Sequence, residues 1–372
     1  MNRKVLITGG AGFIGSHLAD ELLEKGYHVR VLDNLSEQVH GKDVARPAYL
    51  SDSVELVKGD VRDPRKVKEA LKGMDAVFHY AAMVGVGQSM YEIREYTDVN
   101  NVGTAVLLEA LSKNPIEKLV VASSMSIYGE GLYKNADGLV KAGQPRKLDQ
   151  LKAGDWEMYD ANGNMLTPCP TPETKTPSLS SVYALSKYDQ ERMCLMIGKA
   201  YGIPTVALRF FNVFGTRQSL SNPYTGVLAI FASRLMNDNP VLIFEDGNQK
   251  RDFVSVLDIA RASRLALEAP GADDEVFNIG SGNAYTINEI AEKIAKILNK
   301  ENVTPEVCGK YRVGDIRHCY ADISKARSIL GYEPRVSMEQ GLVELAEWLE
   351  GQTAEDKVTE ARNELAVRGL TV

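Results

Sequence analysis

A tyrosine and a lysine stand four residues apart in the segment SVYALSK at 181–187. The run after Tyr183, to about residue 201, has a helical pattern, and residues four apart share a helix face. The ammonium of Lys187 beside the Tyr183 phenol would stabilise the phenolate and lower the pKa of the tyrosine. The pair therefore predicts a general base, although a surface Tyr–Lys pair would have the same spacing. The elements around it decide between the two interpretations.

The first 33 residues predict a βαβ unit that binds a dinucleotide. Residues 4–8 have the β-branched, apolar pattern of a buried strand, 16–25 have a helical pattern, and 29–33 predict a second strand. Between strand and helix stands GGAGFIG at 9–15, which satisfies both GxGxxG and GxxGxxG. Glycines at these positions let the backbone approach a pyrophosphate, whose charge rests on the helix N-terminus.

Asp33 closes the second strand of this unit. A carboxylate there accepts hydrogen bonds from the ribose hydroxyls of an adenosine and repels a 2′-phosphate, so NAD is favoured over NADP. A glycine turn without a ligand is the alternative, but it does not explain why strand, helix and acidic residue all stand at the expected spacing.

Further strand and helix patterns alternate along the first half of the chain. Strands are predicted at 54–60, 76–82 and 118–124, and a helix at 104–111. The alternation indicates an α/β fold, a Rossmann-type doubly wound parallel sheet with a smaller α/β C-terminal substrate lobe. Ser123 and Ser124 end the fifth strand, at the sheet edge where ligands bind. His79 lies inside an apolar strand, so we expect a packed, hydrogen-bonded histidine and not a base.

Composition excludes several classes of protein. With 44% hydrophobic and 25% charged residues, the 372-residue chain is typical of globular enzymes, and its net charge of −7 provides no broad basic surface for nucleic acid. The N-terminus leads directly into a strand, so we expect no signal peptide, and no apolar run approaches the roughly 18 residues of a membrane span. The four scattered cysteines indicate reduced thiols. We expect a cytoplasmic protein that binds neither nucleic acid nor membrane.

Motifs along most of the chain resemble those of the extended short-chain dehydrogenase/reductase superfamily, within it the NAD-dependent nucleotide-sugar epimerases and dehydratases such as UDP-galactose 4-epimerase-like enzymes. They are TGGAGFIG at 8–15, GDVRD at 59–63, HYAA at 79–82, NNVGT at 100–104, SSMSIYG at 123–129, YALSK at 183–187, LRFFNVFG at 208–215, RDFVSVLD at 251–258 and GDIR at 314–317. The resemblance implies that Ser124, Tyr183 and Lys187 form the catalytic set. In such a set the cofactor supplies the redox chemistry, and the protein supplies position and electrostatics.

The resemblance also implies the binding residues. For NAD they are Gly9, Gly12, Phe13, Ile14, Gly15, Asp33, Asn34, Asp60, Val61, Ala81, Ala82, Asn100, Ser123, Tyr183 and Lys187. For a dTDP- or UDP-linked sugar they are Ser124, Ser126, Asn212, Val227, Phe244, Arg251 and Arg317, with the two arginines on the diphosphate.

Domain boundaries and a homodimer follow from the same resemblance. We expect an NAD-binding domain at 1–211 with an insertion at about 131–168, to which the chain returns at about 252–280. The substrate lobe is expected at 212–251 and 281–350. Residues 351–372 are expected to form a charged, solvated C-terminal helix or tail. Relatives pair through the helix at about 104–111 and the helix that bears the tyrosine, forming a four-helix bundle.

The residues after Ser124 discriminate between reactions. A 4,6-dehydratase resembling this chain would carry Thr-Asp-Glu at 124–126, whereas Met125 has no transferable proton and Ser126 is a poor base. A reductase needs a cofactor that exchanges, often NADP, which Asp33 disfavours. The prediction is therefore a 4-epimerase that oxidises C4 to a 4-keto sugar, lets it rotate, and reduces it from the other face. A dehydratase, a reductase or a non-catalytic dinucleotide sensor are the alternatives.

The segment between Ser124 and Tyr183 is longer than in resembling epimerases, and its excess contains turn signals around short strand-like pieces. It could be a lid, an interface or a surface decoration. The layout resembles a subgroup whose insertion carries paired cysteines, but here only Cys169 is present, so no metal is expected. That subgroup includes dTDP-L-rhamnose 4-epimerases, so dTDP-L-rhamnose and dTDP-6-deoxy-L-talose are the expected substrates, with UDP-glucose/galactose or UDP-uronic acids as alternatives.

Overall fold

The computed structural model describes residues 3–371, and within them one parallel sheet of seven strands forms the centre of the molecule. The strands are β1 (Lys4–Thr8), β2 (His28–Asp33), β3 (Glu55–Lys58), β4 (Ala76–His79), β5 (Lys118–Ser124), β9 (Thr205–Phe210) and β14 (Val276–Ile279). Their order in the sheet is β14-β9-β5-β4-β1-β2-β3, and every neighbouring pair is parallel. The predicted Rossmann-type fold is confirmed.

Helices pack on the sheet, whose strands are apolar on both sides, and further helices stand in the loops of this part of the chain. They are α1 (Phe13–Glu24), α2 (Glu37–His40), α3 (Pro64–Leu71), α4 (Val86–Ser89), α5 (Ile93–Tyr96), a π-helix (Thr97–Val102), α6 (Gly103–Lys113), a 3₁₀ helix (Met125–Tyr128), α8 (Val182–Tyr201) and α10 (Val256–Glu268). Helices α1, α3, α8 and α10 are those that pack on the sheet. Helix α8 begins where the Ser181 hydroxyl accepts the Ala184 N–H, and it ends at Gly202 in the left-handed conformation. It presents Tyr183 and Lys187 to β5 from one buried face.

The chain after β9 builds the smaller lobe. Its strands are β10 (Asn212–Phe214), β11 (Leu242–Ile243), β12 (Lys250–Arg251), β13 (Phe253–Ser255), β15 (Tyr285–Thr286), β16 (Glu306–Val307) and β17 (His318–Cys319). Its helices are α9 (Val227–Met236), a 3₁₀ helix (Pro270–Ala272), α11 (Ile287–Ile297), α12 (Ser324–Leu330) and α13 (Met338–Leu349). An apolar core of its own holds α9, α11 and α13 together, with Phe231, Ile290 and Leu342 at its centre. The boundaries at 211, 251, 280 and 350 stay predictions.

The insertion before α8 is ordered and forms a small antiparallel sheet. Strand β6 (Leu132–Lys134) pairs on its two sides with β7 (Val140–Ala142) and β8 (Thr167–Cys169), and α7 (Leu148–Lys152) stands between β7 and β8. Tyr133, Met158 and Leu166 form a local core. The segment is therefore a structured subdomain rather than a loop.

The C-terminal segment, expected to be a charged, solvated helix or tail, forms helix α14 (Val358–Val367), which is buried along one side. Ala361 and Leu365 are buried, and the chain end contacts the smaller lobe, where the Val313 N–H donates to the Leu370 carbonyl at 3.0 Å. The expectation of full solvation was wrong because only Ala361 and Leu365 of this helix are buried, and they form a narrow stripe that the sequence pattern does not single out. The predicted end points 1 and 372 lie outside the described residues. Within 3–371, no helix is long and apolar enough to cross a membrane.

Candidate active site

The glycine turn between β1 and α1 has the shape that a dinucleotide needs. Gly9 has φ +69°, and a Cβ there would lie 2.8 Å from the Ala81 backbone. A Cβ on Gly15 would lie 2.5 Å from the Gly10 Cα, so only glycine lets the helix start this close to the turn. Phe13 and Ile14 follow Gly12 at the first turn of α1, whose N–H groups form the anion-binding end. This turn therefore fits a pyrophosphate.

The acidic residues stand at the carboxyl ends of their strands, as predicted. Asp33 is buried, and its carboxylate accepts the N–H groups of Ala11 at 3.0 Å and Leu35 at 2.9 Å. At the end of β3, Asp60 accepts the Asn34 amide at 3.2 Å and pairs with Arg62 at 2.9 Å. The hydrogen bond from Arg62 lowers the pKa of Asp60 to about 2. A carboxylate pair flanking the turn fits an adenosine, and its negative charge disfavours a 2′-phosphate.

Two predicted cofactor residues have side chains that are hydrogen-bonded within the protein. Asn100 is fully buried, accepts the Met83 N–H at 2.7 Å and donates to the Met83 carbonyl at 3.1 Å and to Ser186 Oγ at 2.9 Å. The Ser123 hydroxyl donates at 2.6 Å to Glu191, which is itself ion-paired with Arg209. These hydrogen bonds join Ser123 of β5 and Asn100 of the π-helix to α8, and Asn100 also to the Met83 backbone; the role of both residues in NAD binding stays a prediction. Ala81, Ala82 and Val61 lie at the sheet edge, next to β4 and β3.

Tyr183 lies at the end of a chain of hydroxyls that starts in the substrate pocket. Ser126, which lines the pocket, donates to Ser124 Oγ at 2.8 Å, and the Ser126 N–H donates to the same oxygen at 3.2 Å. Because Ser124 accepts both hydrogen bonds, its own proton is free for the hydrogen bond that it shares with the Tyr183 hydroxyl. The predicted catalytic serine and tyrosine are thus brought together.

The charge relation within the Tyr–Lys pair differs from the expectation. Burial raises the pKa of Tyr183, and the hydrogen bond from Ser124 lowers it by less. Lys187 is not among the groups that shift this pKa. The Lys187 ammonium is buried and donates to Gln190 Oε1 at 2.7 Å. Burial lowers its own pKa to about 8. The expected lowering of the tyrosine pKa by lysine is therefore corrected, because desolvation dominates at both groups in the protein alone.

Lys187→Met should raise the free energy of unfolding of the cofactor-free protein at pH 7 by up to about 3 kcal/mol. The folded-state pKa of about 8 lies below the ordinary 10.5, so the buried ammonium destabilises the fold fully below pH 8 and not at all above 10.5. The advantage of the variant should shrink as pH rises through this window. Urea unfolding at several pH values measures it, with Lys199→Met, an exposed lysine of α8, as control. A variant less stable than wild type at pH 7 contradicts the prediction.

His79 is a packed histidine, as expected. It is fully buried, its two ring nitrogens contact the hydroxyls of Thr8 and Thr104 at 2.8 Å each, and burial lowers its pKa to about 3. The neutral ring thus links β1, β4 and α6.

The substrate pocket, of about 320 Å³, opens between the sheet edge and the smaller lobe. Asn212, Val227, Phe244 and Arg251 line it, with Ser126 on the sheet side. Helix α9 begins at Val227, as predicted. Arg251 donates to the carbonyls of Lys250, Ile316 and Arg317, and among the described residues it has no carboxylate within ion-pair distance. The Asn212 Oδ1 is buried without a hydrogen-bond partner and can accept from a ligand hydroxyl, whereas the Arg251 guanidinium is suited to an anionic group.

Arg317 does not reach this pocket, which corrects the prediction that it binds the diphosphate. Its side chain is fully buried and pairs with Glu157 at 2.5 Å, Glu245 at 3.0 Å and Asp246 at 2.6 Å. Arg312, which the sequence reasoning missed, lines the pocket instead and lies 4.5 Å from the centre of the Phe244 ring. The signal was available, because Arg312 stands two residues before the GD of the GDIR motif.

The insertion is attached to the substrate lobe by buried ion pairs. Its Arg146 pairs with Glu245 at 2.7 Å, next to Phe244, and its guanidinium faces the Tyr311 ring at 5.4 Å. Its Glu157 reaches Arg317, as above. The insertion therefore contacts Glu245 and Tyr311, the chain neighbours of the pocket residues Phe244 and Arg312.

The described cysteines are unpaired, and Cys169 is buried in β8. Among residues 3–371, no three His, Cys, Asp or Glu side chains are grouped to hold a metal ion. The absence of a metal stays a prediction.

Comparisons with known proteins agree with this geometry. The model of the NAD dependent epimerase/dehydratase family matches residues 5–148 and 151–280. A dTDP-L-rhamnose 4-epimerase of Burkholderia thailandensis is 38% identical over 352 residues, which are 93% of this chain and 95% of that protein. The structure of a Thermotoga maritima UDP-glucose 4-epimerase with UDP-glucose superposes with a TM-score of 0.75 at 33% identity, covering 93% of this chain and 98% of the other. A Bacillus cereus UDP-glucuronic acid 4-epimerase with UDP-glucuronic acid and NAD has a TM-score of 0.75 at 29% identity, with coverages of 93% and 99%.

Proposed function

This chain belongs to the NAD dependent epimerase/dehydratase family, and from that premise we propose that it interconverts dTDP-L-rhamnose and dTDP-6-deoxy-L-talose. The coarser activity is that of an NAD-dependent nucleotide-sugar 4-epimerase. The observation that carries the finer proposal is the 38% identity to a dTDP-L-rhamnose 4-epimerase over nearly the whole of both chains.

The sugar end of the pocket supports a 6-deoxy sugar. The segment 85–90 and the turn after Ser124 contribute Val86, Met90 and Met125 to its lining, and no described side chain of these two segments that lines the pocket is charged. A C6 methyl group is suited to such apolar surroundings, whereas a uronic carboxylate would need a cation or several donors there. UDP-glucose/galactose and UDP-uronic acid epimerisation are therefore ranked second.

The proposed mechanism assigns proton transfer to Tyr183. NAD, held by the glycine turn and Asp33, supplies the hydride acceptor and donor. Tyr183 takes the proton of the C4 hydroxyl as that carbon becomes a carbonyl, and it returns the proton when the other face is reduced. Ser124 hydrogen-bonds the same sugar oxygen and holds it near the phenol. Because burial raises the pKa of Tyr183 and Lys187 does not lower it in the protein alone, its deprotonation would depend on the positive charge of the oxidised cofactor.

The diphosphate is assigned to Arg251, Arg312 and the N-terminus of α9, and the base to Phe244. Arg251 has unused positive charge in the pocket, and a guanidinium fork suits paired phosphate oxygens. Phe244, whose ring lies against Arg312, provides a flat face for a pyrimidine. Met125 and Ser126 at the turn lack the acid and base that a dehydratase needs.

Incubation with a panel of dTDP- and UDP-sugars, read by NMR at C4, tests the proposal. We expect conversion of dTDP-L-rhamnose to its C4 epimer without added cofactor, faster than that of any UDP-sugar. Faster turnover of UDP-glucose or a UDP-uronic acid overturns the substrate assignment, and accumulation of a keto product overturns the epimerase mechanism.

We also propose a homodimer formed through α6 and α8. Exposed apolar side chains on and near these helices, Leu185, Met196 and Val102, support this surface as an interface. Light scattering should give twice the chain mass of 40.9 kDa, and the monomer mass would contradict the proposal. The cytoplasmic location stays a prediction.

A further inference from the structure

The last helix of the chain forms one side of the substrate pocket. Val358, Ala361, Arg362 and Leu365 of α14, together with Leu370 beyond it, line the same cavity as Arg251 and Phe244. These four helical residues have the spacing i, i+3, i+4, i+7, which places them on one face. The remaining positions of α14 are mostly exposed.

The segment is held in place at three separate points. Leu365 packs on Gly87 of α4, the guanidinium of Arg368 lies 4.5 Å from the centre of the Tyr91 ring, and the Val313 N–H donates to the Leu370 carbonyl at 3.0 Å. An antiparallel bridge joins Thr371 to Arg312. The helix thus spans the pocket from the NAD-binding domain to the smaller lobe.

Arg362 is the charged residue on the pocket face of α14. Its ion-pair partner is Glu306 at 3.3 Å, and the two side chains are 34% and 48% exposed. Such an exposed pair contributes little free energy, so the guanidinium is available to a stronger anion. The other arginines of the pocket are Arg251, without a carboxylate partner in the described chain, and Arg312, which pairs with Asp315 at 2.8 Å.

We propose that α14 is part of the substrate site and that Arg362 binds the diphosphate of the nucleotide sugar as a third guanidinium beside Arg251 and Arg312. Ala361 and Leu365 cover the ligand with apolar surface. This inference rests on the proposed function, since it assumes that the pocket holds a nucleoside diphosphate. The C-terminal segment, which the sequence predicts to be charged and solvated, would then contribute to the affinity for the nucleotide sugar.

Binding of dTDP and UDP, measured by calorimetry on the full-length protein, tests the proposal. Arg362→Ala should weaken binding of both nucleotides about tenfold and reduce the salt dependence of the dissociation constant, because one charge-assisted contact is lost. The amount of bound NAD and the melting temperature should not change. Leu365→Ser should also weaken nucleotide binding, without changing its salt dependence.

Arg327→Ala is the matched control, because Arg327 on α12 has a similarly exposed partner, Glu333 at 3.0 Å, and does not line the pocket. If Arg362→Ala and this control bind dTDP and UDP with equal dissociation constants, the inference is overturned. If Arg362→Ala fails to fold, Arg362→Gln, which keeps a polar side chain without the charge, replaces it in the same comparison. Arg362-dependent nucleotide binding without turnover of any sugar would refute the proposed function and leave this inference standing.

Discussion

Tyr183→Phe is expected to lower kcat for C4 epimerisation by about 10³-fold while NAD remains bound. The substitution removes the hydroxyl that is hydrogen-bonded to Ser124 and keeps the ring that packs edge-on against Tyr96 at 6.4 Å. General acid–base groups typically contribute 10²- to 10⁴-fold to a rate, and here a single group has to act in both directions. Initial rates by NMR and the NAD content of the purified protein measure the two quantities.

Tyr188→Phe is the matched control, a tyrosine five residues later on α8 that packs against the sheet core. It should retain nearly full kcat. Full turnover by Tyr183→Phe would refute the mechanism, and loss of NAD from that variant would show that the tyrosine acts mainly in cofactor binding. Ser124→Ala should give a smaller loss, since the tyrosine proton acceptor remains.

Arg317→Ala is expected to lower the free energy of unfolding by about 3–5 kcal/mol. The variant leaves Asp246 and Glu157 without their arginine partner, and it leaves Glu245, which is 3% exposed, with Arg146 as its one described ion-pair partner. Burial acts to raise the pKa of Asp246, but the hydrogen bond from Arg317 opposes it and the pKa is about 2. The hydrogen bonds from His318 and Arg317 lower the pKa of Glu157 to about 2. Urea unfolding followed by circular dichroism measures the loss, and the insertion keeps its Arg146–Glu245 pair with the substrate lobe.

Arg251→Ala is the complementary variant. Its guanidinium contacts carbonyl groups and no described carboxylate, so its removal strands no buried charge. We expect a small change in stability and at least a tenfold weaker affinity for dTDP and UDP. Arg317→Ala could instead weaken nucleotide binding and leave the stability unchanged. That result would show that Arg317 binds the diphosphate.

The two arginines show how far motif reasoning reaches. Arg251 and Arg317 both stand in matched motifs, and local sequence offers no reason to separate them. Arg317 is neutralised by Glu245 and Asp246, about 70 residues earlier in the chain, and by Glu157 of the insertion. Ser123 and Asn100 are similar cases, because their side chains bind Glu191 and Ser186 of α8 and, for Asn100, also the Met83 backbone. Such partners are set by packing of distant segments, which no spacing in the sequence encodes.

The sequence by itself determined the parallel sheet, the glycine turn, Asp33 at the end of β2 and the helix that carries Tyr183 and Lys187. These features depend on local periodicity and on backbone conformations that only glycine allows, so they can be read within a few residues. The tertiary structure decided which cations remain free for a diphosphate, the raised pKa of Tyr183, the anchoring of the insertion and the place of α14 on the pocket. Each of these depends on burial and on charge between distant segments, and desolvation acts only once those segments have packed.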